Sequence, residues 1–207
     1  MNKLMLNNSI QKAYLFAKEA HKGQTRLFSE KPYIVHPVAV ACLVESTLNK
    51  FDRNILDSER GKGMLKAALL HDTIEDTKVK YEDILRKFGR QTADLVNELT
   101  NVKDDEDALI RQYGRIGEAM YLSRKMLNMS NDALLVKLAD RLCNLNDAKK
   151  GDANFFRDYI NETIYVAKIL ENRMKKESKA HRLLFGKIRD IANAKRKKSQ
   201  CSHKKVI

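Results

Sequence analysis

The sequence predicts an all-α fold, built as one bundle of about eight to ten helices. Apolar residues recur mostly at spacings of three and four, the period of a helix that buries one face. Only two prolines and eight glycines interrupt the 207 residues, so few positions break regular structure. No shift in composition divides the chain before its basic end. We therefore expect one domain over residues 1–194 and a basic, flexible, disordered tail over residues 195–207.

The first helix is predicted over residues 8–21, where Ile10 and Ala13 lie on one apolar face. The polar loop Lys22–Pro32 follows, because its glycine and proline end the helix. Pro37 biases the residue before it away from helical geometry and suits the first turn of a second helix. The sequence thus predicts two helices joined by a polar loop.

The middle and end of the chain predict further helices with short connections. Residues 49–63 are rich in charge and predict a loop or a short helix. Gly89 suits the position after a helix, because glycine adopts a positive φ at little cost. The acidic segment that begins at Asp104 predicts a mobile loop to about residue 117. Helical spacing of apolar residues predicts the other helices, at residues 64–76, 80–88, 92–100, 119–129, 130–149 and 155–194.

The net charge of +13 belongs to the C-terminal part of the chain. Residues 168–207 hold 14 Lys and Arg against three Asp and Glu, whereas residues 1–167 hold 26 against 24. One interpretation is a basic protein that binds nucleic acid or the ribosome, and such binding would weaken steeply with salt. Because no aromatic residues are interleaved with the charges of the tail, we expect at most weak accessory binding there.

Cysteine usage and hydropathy indicate the compartment. Cys42, Cys143 and Cys201 form no CxxC pair, which is typical of a reducing environment. The N-terminus lacks the pattern of a signal peptide, and no apolar run approaches the ~20 residues that span a bilayer. The sequence therefore predicts a soluble, cytoplasmic protein.

The strongest functional signal is the stretch from Leu69 to Thr77, where an apolar run ends in one histidine and three acidic residues. On one continuous helix these side chains would lie on neighbouring faces. Buried carboxylates are costly unless they are paired or bind a cation. The stretch therefore favours a metal or acid-base site over an ordinary charged helix end. The four polar residues are His71, Asp72, Glu75 and Asp76.

Two further candidates lie far from this stretch in sequence. His36 precedes Pro37 at a helix start, beside apolar neighbours. Asp140 lies between apolar residues of a predicted helix, where a buried carboxylate needs a strong partner. Pairing with Lys137 or Arg141 explains Asp140 without a metal, and the spacing alone does not choose between the two interpretations.

These residue types suit one kind of chemistry. Imidazole and carboxylate ligands without thiolate fit Mn²⁺, Fe²⁺ or Mg²⁺ better than structural zinc. Such an ion lowers the pKa of bound water and polarises a phosphoryl oxygen, and Glu75 with Asp76 could orient or deprotonate that water. The predicted reaction is therefore metal-assisted phosphoester hydrolysis. The candidate ligands are His36, His71, Asp72 and Asp140.

Four motifs, in this order, resemble the hydrolase domain of the RelA/SpoT alarmone family, which belongs to the HD phosphohydrolase superfamily. The resemblance spans residues 8–170 and implies an HD-domain helical bundle. Long members of the family also carry synthetase and regulatory domains, for which this chain has no room, so we expect a stand-alone small alarmone hydrolase. The motifs are AHKGQTR at 20–26, PYIVHPVAVA at 32–41, AALLHDTIEDT at 67–77 and VKLADRLCNL at 136–145.

The resemblance implies an activity and residue roles. The family releases pyrophosphate from the ribose 3′ position of (p)ppGpp with Mn²⁺, giving GDP or GTP. The alternative within the same chemistry is an HD phosphohydrolase of another nucleotide, such as an adenosine alarmone or NADPH. Carried over by motif, the metal ligands would be His36, His71, Asp72 and Asp140, the catalytic pair Glu75 and Asp76, the guanine-binding residue Arg26 and the sugar-binding residue Asn144.

Overall fold

The computed structural model describes residues 7–203, apart from the side chains of Arg115 and of residues 195–203. Within these residues the regular structure is helical, and one isolated β-bridge joins Thr25 to Pro32. Ten helices have eight or more residues and two have four, which confirms the predicted all-α fold. They are α1 (Asn8–Ala20), α2 (Val35–Phe51), α3 (Arg53–Leu56), α4 (Glu59–Leu70), α5 (Thr73–Asp76), α6 (Tyr81–Phe88), α7 (Arg90–Leu99), α8 (Lys103–Tyr113), α9 (Arg115–Asn128), α10 (Asn131–Ala148), α11 (Ala153–Met174) and α12 (Lys179–His203).

The described chain forms two compact units. Unit 1 holds the residues up to Asn101 together with Met129–Cys143. Unit 2 holds Val102–Asn128 and the residues from Asn144 onwards. The organisation as one domain over residues 1–194 stays a prediction of the sequence.

Helix α4 is the central helix of unit 1, where it packs against α1, α2, α3 and α7. Ser58 caps its start, because the hydroxyl oxygen accepts a hydrogen bond from the amide of Gly61 at 3.2 Å. A Cβ at Gly61 would collide with the carbonyl oxygen of Ile55, so glycine is needed for α3 and α4 to approach each other. Its last residues, Ala67–Leu70, are fully buried. The helix therefore directs its C-terminal end into the interior of the unit.

The single helix predicted over residues 64–76 is wrong at its end. Helix α4 stops at Leu70, and the short helix α5 begins only at Thr73. Between them, Asp72 has φ −95° and ψ −2°, at the edge of the helical region. His71 and Asp72 therefore lie in a turn between two helices and not on the face of one.

Local hydrogen bonds explain this break. The imidazole Nδ1 of His71 lies 2.9 Å from the carbonyl oxygen of Ala68, and the hydroxyl of Thr73 donates to the carbonyl oxygen of Leu70 at 2.6 Å. The last carbonyls of a helix have no partner within it, so side chains that satisfy them stabilise the helix end. Side chains of the motif thus terminate α4 in the buried interior.

The segment from residue 104 to 117, predicted as a mobile loop, is also different in the structure. It forms α8 and the first residues of α9, and these two helices pack together in unit 2. Asp104 and Glu106 lie in the first turn of α8, where the helix dipole favours negative charge. The acidic composition therefore produces a surface helix without a buried residue.

Unit 2 is built around α11, which packs against α9 and α12. Arg173 of α11 donates from Nη1 to the carbonyl oxygens of Met126 and Leu127, at 2.6 and 2.7 Å, and so satisfies the C-terminal end of α9. Helix α12 continues through residues 195–203, so the predicted disordered tail is not confirmed; residues 204–207 of that prediction lie outside the described residues. Across the described residues, no helix combines the length and apolar character needed to cross a membrane.

Candidate metal centre and active site

Two histidines and two aspartates from three parts of unit 1 meet at one point. His36 lies in the first turn of α2, His71 and Asp72 in the turn after α4, and Asp140 on α10. The Nε2 atom of His36 is 3.1 Å from Oδ1 of Asp140 and 3.7 Å from Oδ2 of Asp72. The Nε2 atom of His71 is 2.9 Å from Oδ2 of Asp72 and 3.6 Å from Oδ1 of Asp140. All four predicted metal ligands therefore lie together.

The orientation of His71 fits a metal ligand. Because a carbonyl oxygen only accepts, the contact to Ala68 places a proton on Nδ1, so Nε2 is the ring nitrogen that faces the cluster and that a metal ion would bind in place of a proton. That Nε2 atom is buried and forms no hydrogen bond of acceptable geometry with the described residues. His36, His71 and Asp72 each offer a ligand atom, and these atoms lie within 4.8 Å of one another. The donor set therefore suits a divalent cation.

The charges of the cluster favour a positive charge at its centre. Burial lowers the pKa of His71, but the carboxylates of Asp72 and Asp140 outweigh burial and raise the pKa to about 10. Burial raises the pKa of Asp72, whereas the neighbouring His71 lowers it below its usual range. A bound cation would satisfy the same carboxylates in place of the proton.

Lys137 pairs with Asp140, as the interpretation without a metal predicts. Its Nζ atom lies 3.0 Å from Oδ2 of Asp140, and its side chain is only 12% exposed. Burial raises the pKa of Asp140, but Lys137 and the two histidines hold it well below its ordinary value. The pairing occupies Oδ2, while Oδ1 faces His36 and His71. The ion pair and a metal-binding role of Asp140 are therefore compatible.

Glu75 and Asp76 lie on α5, just beyond the predicted ligands. The backbone amide of Asn101 donates to Glu75 Oε2 at 2.9 Å, and its side-chain amide donates to Oε1 at 3.3 Å. Asp76 is exposed at the surface. Partial burial of its carboxyl group, followed by the charges of Asp72 and Glu75, raises the pKa of Asp76. Glu75 is thus held in place, and Asp76 is the more accessible carboxylate.

Tyr33 is part of the site, although its sequence pattern predicts no role for it. Its hydroxyl donates to Oδ2 of Asp72 at 2.6 Å and lies 3.4 Å from Oδ2 of Asp76. Burial and the charge of Asp72 raise the pKa of Tyr33, so the hydroxyl keeps its proton. The available signal was the position of Tyr33 inside the second motif, three residues before His36. For Asn101, no residue spacing in the sequence indicated a contact with the site.

Arg26 contacts the same tyrosine. Its guanidinium carbon lies 5.3 Å from the centre of the Tyr33 ring, within the range of a cation–π interaction. The Arg26 amide donates to the carbonyl oxygen of Lys31 at 3.1 Å, which holds this part of the loop. Asn144 lies on α10, four residues after Asp140, in the part of the helix that belongs to unit 2. Its contact with a nucleotide sugar stays a prediction.

Known proteins with similar sequences belong to one family. A family model described as HD domain matches residues 13–175. The bifunctional (p)ppGpp synthase/hydrolase SpoT of Escherichia coli K12 is 35% identical over 167 residues, which cover 80% of this chain and 22% of SpoT. The chain therefore spans less than a quarter of the length of that relative.

A relative of similar size is also found. The guanosine-3′,5′-bis(diphosphate) 3′-pyrophosphohydrolase MESH1 of Xenopus tropicalis is 38% identical over 148 residues, covering 68% of this chain and 70% of MESH1. A solved structure, described as a metazoan ortholog of SpoT that hydrolyzes ppGpp, has a TM-score of 0.69 and 25% identity over 91% of this chain and 96% of its own. The chain therefore belongs to the HD-domain family and groups within it with SpoT and MESH1, which confirms the resemblance of the four motifs.

Proposed function

We propose that this chain hydrolyses (p)ppGpp, releasing pyrophosphate from the ribose 3′ position to give GDP or GTP, with Mn²⁺ as its metal. The observation that carries the proposal is the cluster of two histidines and two aspartates beside Glu75 and Asp76 in unit 1. The name of MESH1 describes the same reaction, and the matched region covers 70% of MESH1.

The metal would be held by the four converging side chains. The HD-domain family implies a divalent ion, and mixed imidazole and carboxylate ligands without thiolate suit Mn²⁺. When bound, the ion would polarise a phosphoryl oxygen and lower the pKa of water. The proposed ligands are His36, His71, Asp72 and Asp140.

Glu75 and Asp76 would orient and deprotonate the attacking water. Asp76 would accept a proton from the attacking water, because its raised pKa makes it a better proton acceptor. Glu75, fixed by Asn101, would orient that water. Water adds to the phosphorus next to the ribose, and the bond from this phosphorus to the 3′ oxygen breaks. The 3′ oxygen leaves and takes up a proton, which balances the one that Asp76 accepted from the water. Intact pyrophosphate and a free 3′ hydroxyl result.

Two residues are proposed to bind the nucleotide. Arg26 would lie against the guanine base, since a guanidinium plane stacks on aromatic rings and already packs on Tyr33. The role of Asn144 at the sugar rests on the fourth motif alone. The cytoplasmic location and weak nucleic-acid binding by the tail stay predictions of the sequence.

The test is product identification after incubation of the protein with ppGpp and Mn²⁺. We expect GDP and intact pyrophosphate, and we expect Asp76→Asn to lower kcat by at least ~10²-fold. Asp57→Asn removes a carboxylate on an exposed side chain of unit 1 and should keep full activity. Stepwise release of single phosphates, or full activity of Asp76→Asn, would contradict the mechanism.

The same assay decides between substrates. At equal enzyme concentration, kcat/KM for ppGpp should exceed the values for an adenosine alarmone and for NADPH. A higher kcat/KM for either competitor would mean that this competitor, and not the guanosine alarmone, is the substrate. The proposed hydrolytic chemistry would still hold.

A further inference from the structure

The segment between α1 and α2, residues 21–34, is named here the α1–α2 segment. It contacts both Asp72 and Asp76. The β-bridge between Thr25 and Pro32 closes it, and the amide of Tyr33 donates to the carbonyl oxygen of Gln24 at 2.9 Å. Gln24 and Tyr33 are therefore held side by side. The first motif contributes more to the site than Arg26 alone.

His21 supports this arrangement from the end of α1. The residue is only 3% exposed, and its ring stacks on the Tyr33 ring with 4.6 Å between centroids. Its Nδ1 atom lies 2.7 Å from Oε1 of Gln24. The other end of the Gln24 amide donates from Nε2 to the backbone carbonyl oxygen of Asp76 at 2.9 Å. A connected set of contacts thus runs from His21 to the backbone of α5.

The Tyr33 hydroxyl lies between two acidic groups. It carries one proton, and the 2.6 Å contact assigns that proton to Oδ2 of Asp72. The same Asp72 oxygen faces His71 at 2.9 Å and His36 at 3.7 Å. The hydroxyl therefore limits rotation of the carboxylate that faces the metal cluster. It also lies 3.4 Å from Oδ2 of Asp76 and separates the two like charges.

We propose that Tyr33 is a positioning residue, whose hydroxyl orients Asp72 for the metal ion and sets the position of Asp76 relative to it. The proposal rests on the proposed function, because it takes Asp72 as a metal ligand and Asp76 as the proton acceptor. Hydrogen-bond partners of metal ligands fix the ligand geometry and tune affinity, so their loss weakens metal binding.

The test uses Tyr33→Phe, which removes only the hydroxyl and keeps the ring that packs on His21 and Arg26. Tyr81→Phe is the matched control, because that exposed hydroxyl also donates to an aspartate, Asp94 at 2.5 Å. The first readout is Mn²⁺ binding to the metal-free protein, measured by calorimetry without nucleotide. We expect Tyr33→Phe to raise the Mn²⁺ Kd about tenfold. We expect Tyr81→Phe to leave it unchanged.

The second readout separates positioning from substrate binding. At saturating Mn²⁺, kcat for ppGpp should fall about tenfold in Tyr33→Phe while KM changes little, because the hydroxyl acts on the metal ligand and the base. Gln24→Met is the second variant, since it removes the bond to the Asp76 carbonyl but keeps the Tyr33 hydroxyl. Its kcat should fall and its Mn²⁺ Kd should match the wild type.

The outcomes distinguish this proposal from the proposed function. Wild-type Mn²⁺ affinity and kcat in Tyr33→Phe would overturn the positioning role and leave the hydrolase assignment intact. Weakened Mn²⁺ binding in Tyr33→Phe, in a protein that does not cleave ppGpp, would support the role of Tyr33 and reject the substrate. Absence of Mn²⁺ binding to the wild type would overturn the role together with the metal assignment.

Discussion

The ammonium group of Lys137 lies 3.0 Å from Oδ2 of Asp140, on the carboxylate oxygen that does not face the histidines. Both side chains are buried, at 12% and 6% exposure. Removal of Lys137 takes one charged partner from Asp140, which keeps His36 and His71 on its other oxygen. Since a hydrogen bond to a charged group contributes about 2 kcal/mol, we expect Lys137→Met to lower the free energy of unfolding of the metal-free protein by about 2 kcal/mol in urea denaturation.

A matched control lies at the C-terminal end of α10, where Asp147 is in the helix and Lys150 follows it. Lys150 pairs with Asp147 at the same spacing, but its side chain is 60% exposed. Because exposed pairs contribute little, Lys150→Met should change the free energy of unfolding by less than about 0.5 kcal/mol. An equal effect of the two substitutions would show that burial of the Lys137 pair does not determine its contribution.

Metal binding should be visible as stabilisation. A ligand that binds only the folded protein stabilises it by about 2.7 kcal/mol when its free concentration is about 100-fold above Kd. We expect Mn²⁺ to raise Tm of the wild type, and Asp140→Asn to lose most of this increase because a neutral amide replaces the negatively charged carboxylate. Asp147→Asn, also on α10, should keep it. An unchanged Mn²⁺ response of Asp140→Asn would exclude Asp140 from the ligands.

The metal-free protein should lose stability as the pH rises. The pKa of folded His71 is about 10, above the value of about 6.5 in an unfolded chain. Such a group contributes stability that is fully present below pH ~6.5 and is lost as the pH approaches ~10. With a chelator present, the difference in unfolding free energy between the wild type and His71→Gln should shrink from pH 6 to pH 9. A difference that grows over this range would contradict the charge balance of the cluster.

Arg60 and Asp132 join the starts of α4 and α10 in unit 1. The guanidinium donates from Nε to Oδ2 at 2.8 Å and from Nη2 to Oδ1 at 2.6 Å. Lysine cannot reproduce this two-point geometry, so Arg60→Lys should cost about 0.5 kcal/mol, since the arginine is half exposed. Arg86→Lys, whose partner Asp83 it contacts through one nitrogen, is the control for urea unfolding. Equal losses would mean that the two-point contact adds nothing.

The sequence predicted the helices whose apolar spacing is regular, and it singled out four side chains that lie together in the structure. It did not predict the break after Leu70, because that break depends on the hydrogen bonds of His71 and Thr73 to α4 carbonyls. Helical spacing alone predicts one continuous helix through Leu69–Thr77. The polar composition of residues 104–117 likewise resembles that of a loop, and only packing against α9 distinguishes a surface helix.

Partners that are distant in sequence account for the other omissions. The hydroxyl of Tyr33 meets a carboxylate 39 residues away, and Asn101 meets Glu75 across 26 residues. No periodicity within one helix encodes such contacts. The histidines and aspartates of the cluster could be proposed because their side chains are common metal ligands and because a buried carboxylate needs a partner. Tyrosine and asparagine fit many environments, so their residue type alone indicates no role.

The fully buried end of α4 links the candidate site to cooperative unfolding. Ala67–Leu70 have no exposed surface, and the turn that bears His71 and Asp72 follows them directly. Segments with this degree of burial open only in large unfolding events, so their amide hydrogens exchange slowly with solvent. The two residues cannot separate from the core by local fraying. Destabilising substitutions elsewhere in unit 1 should therefore reduce the fraction of active molecules without changing the activity of those that remain folded.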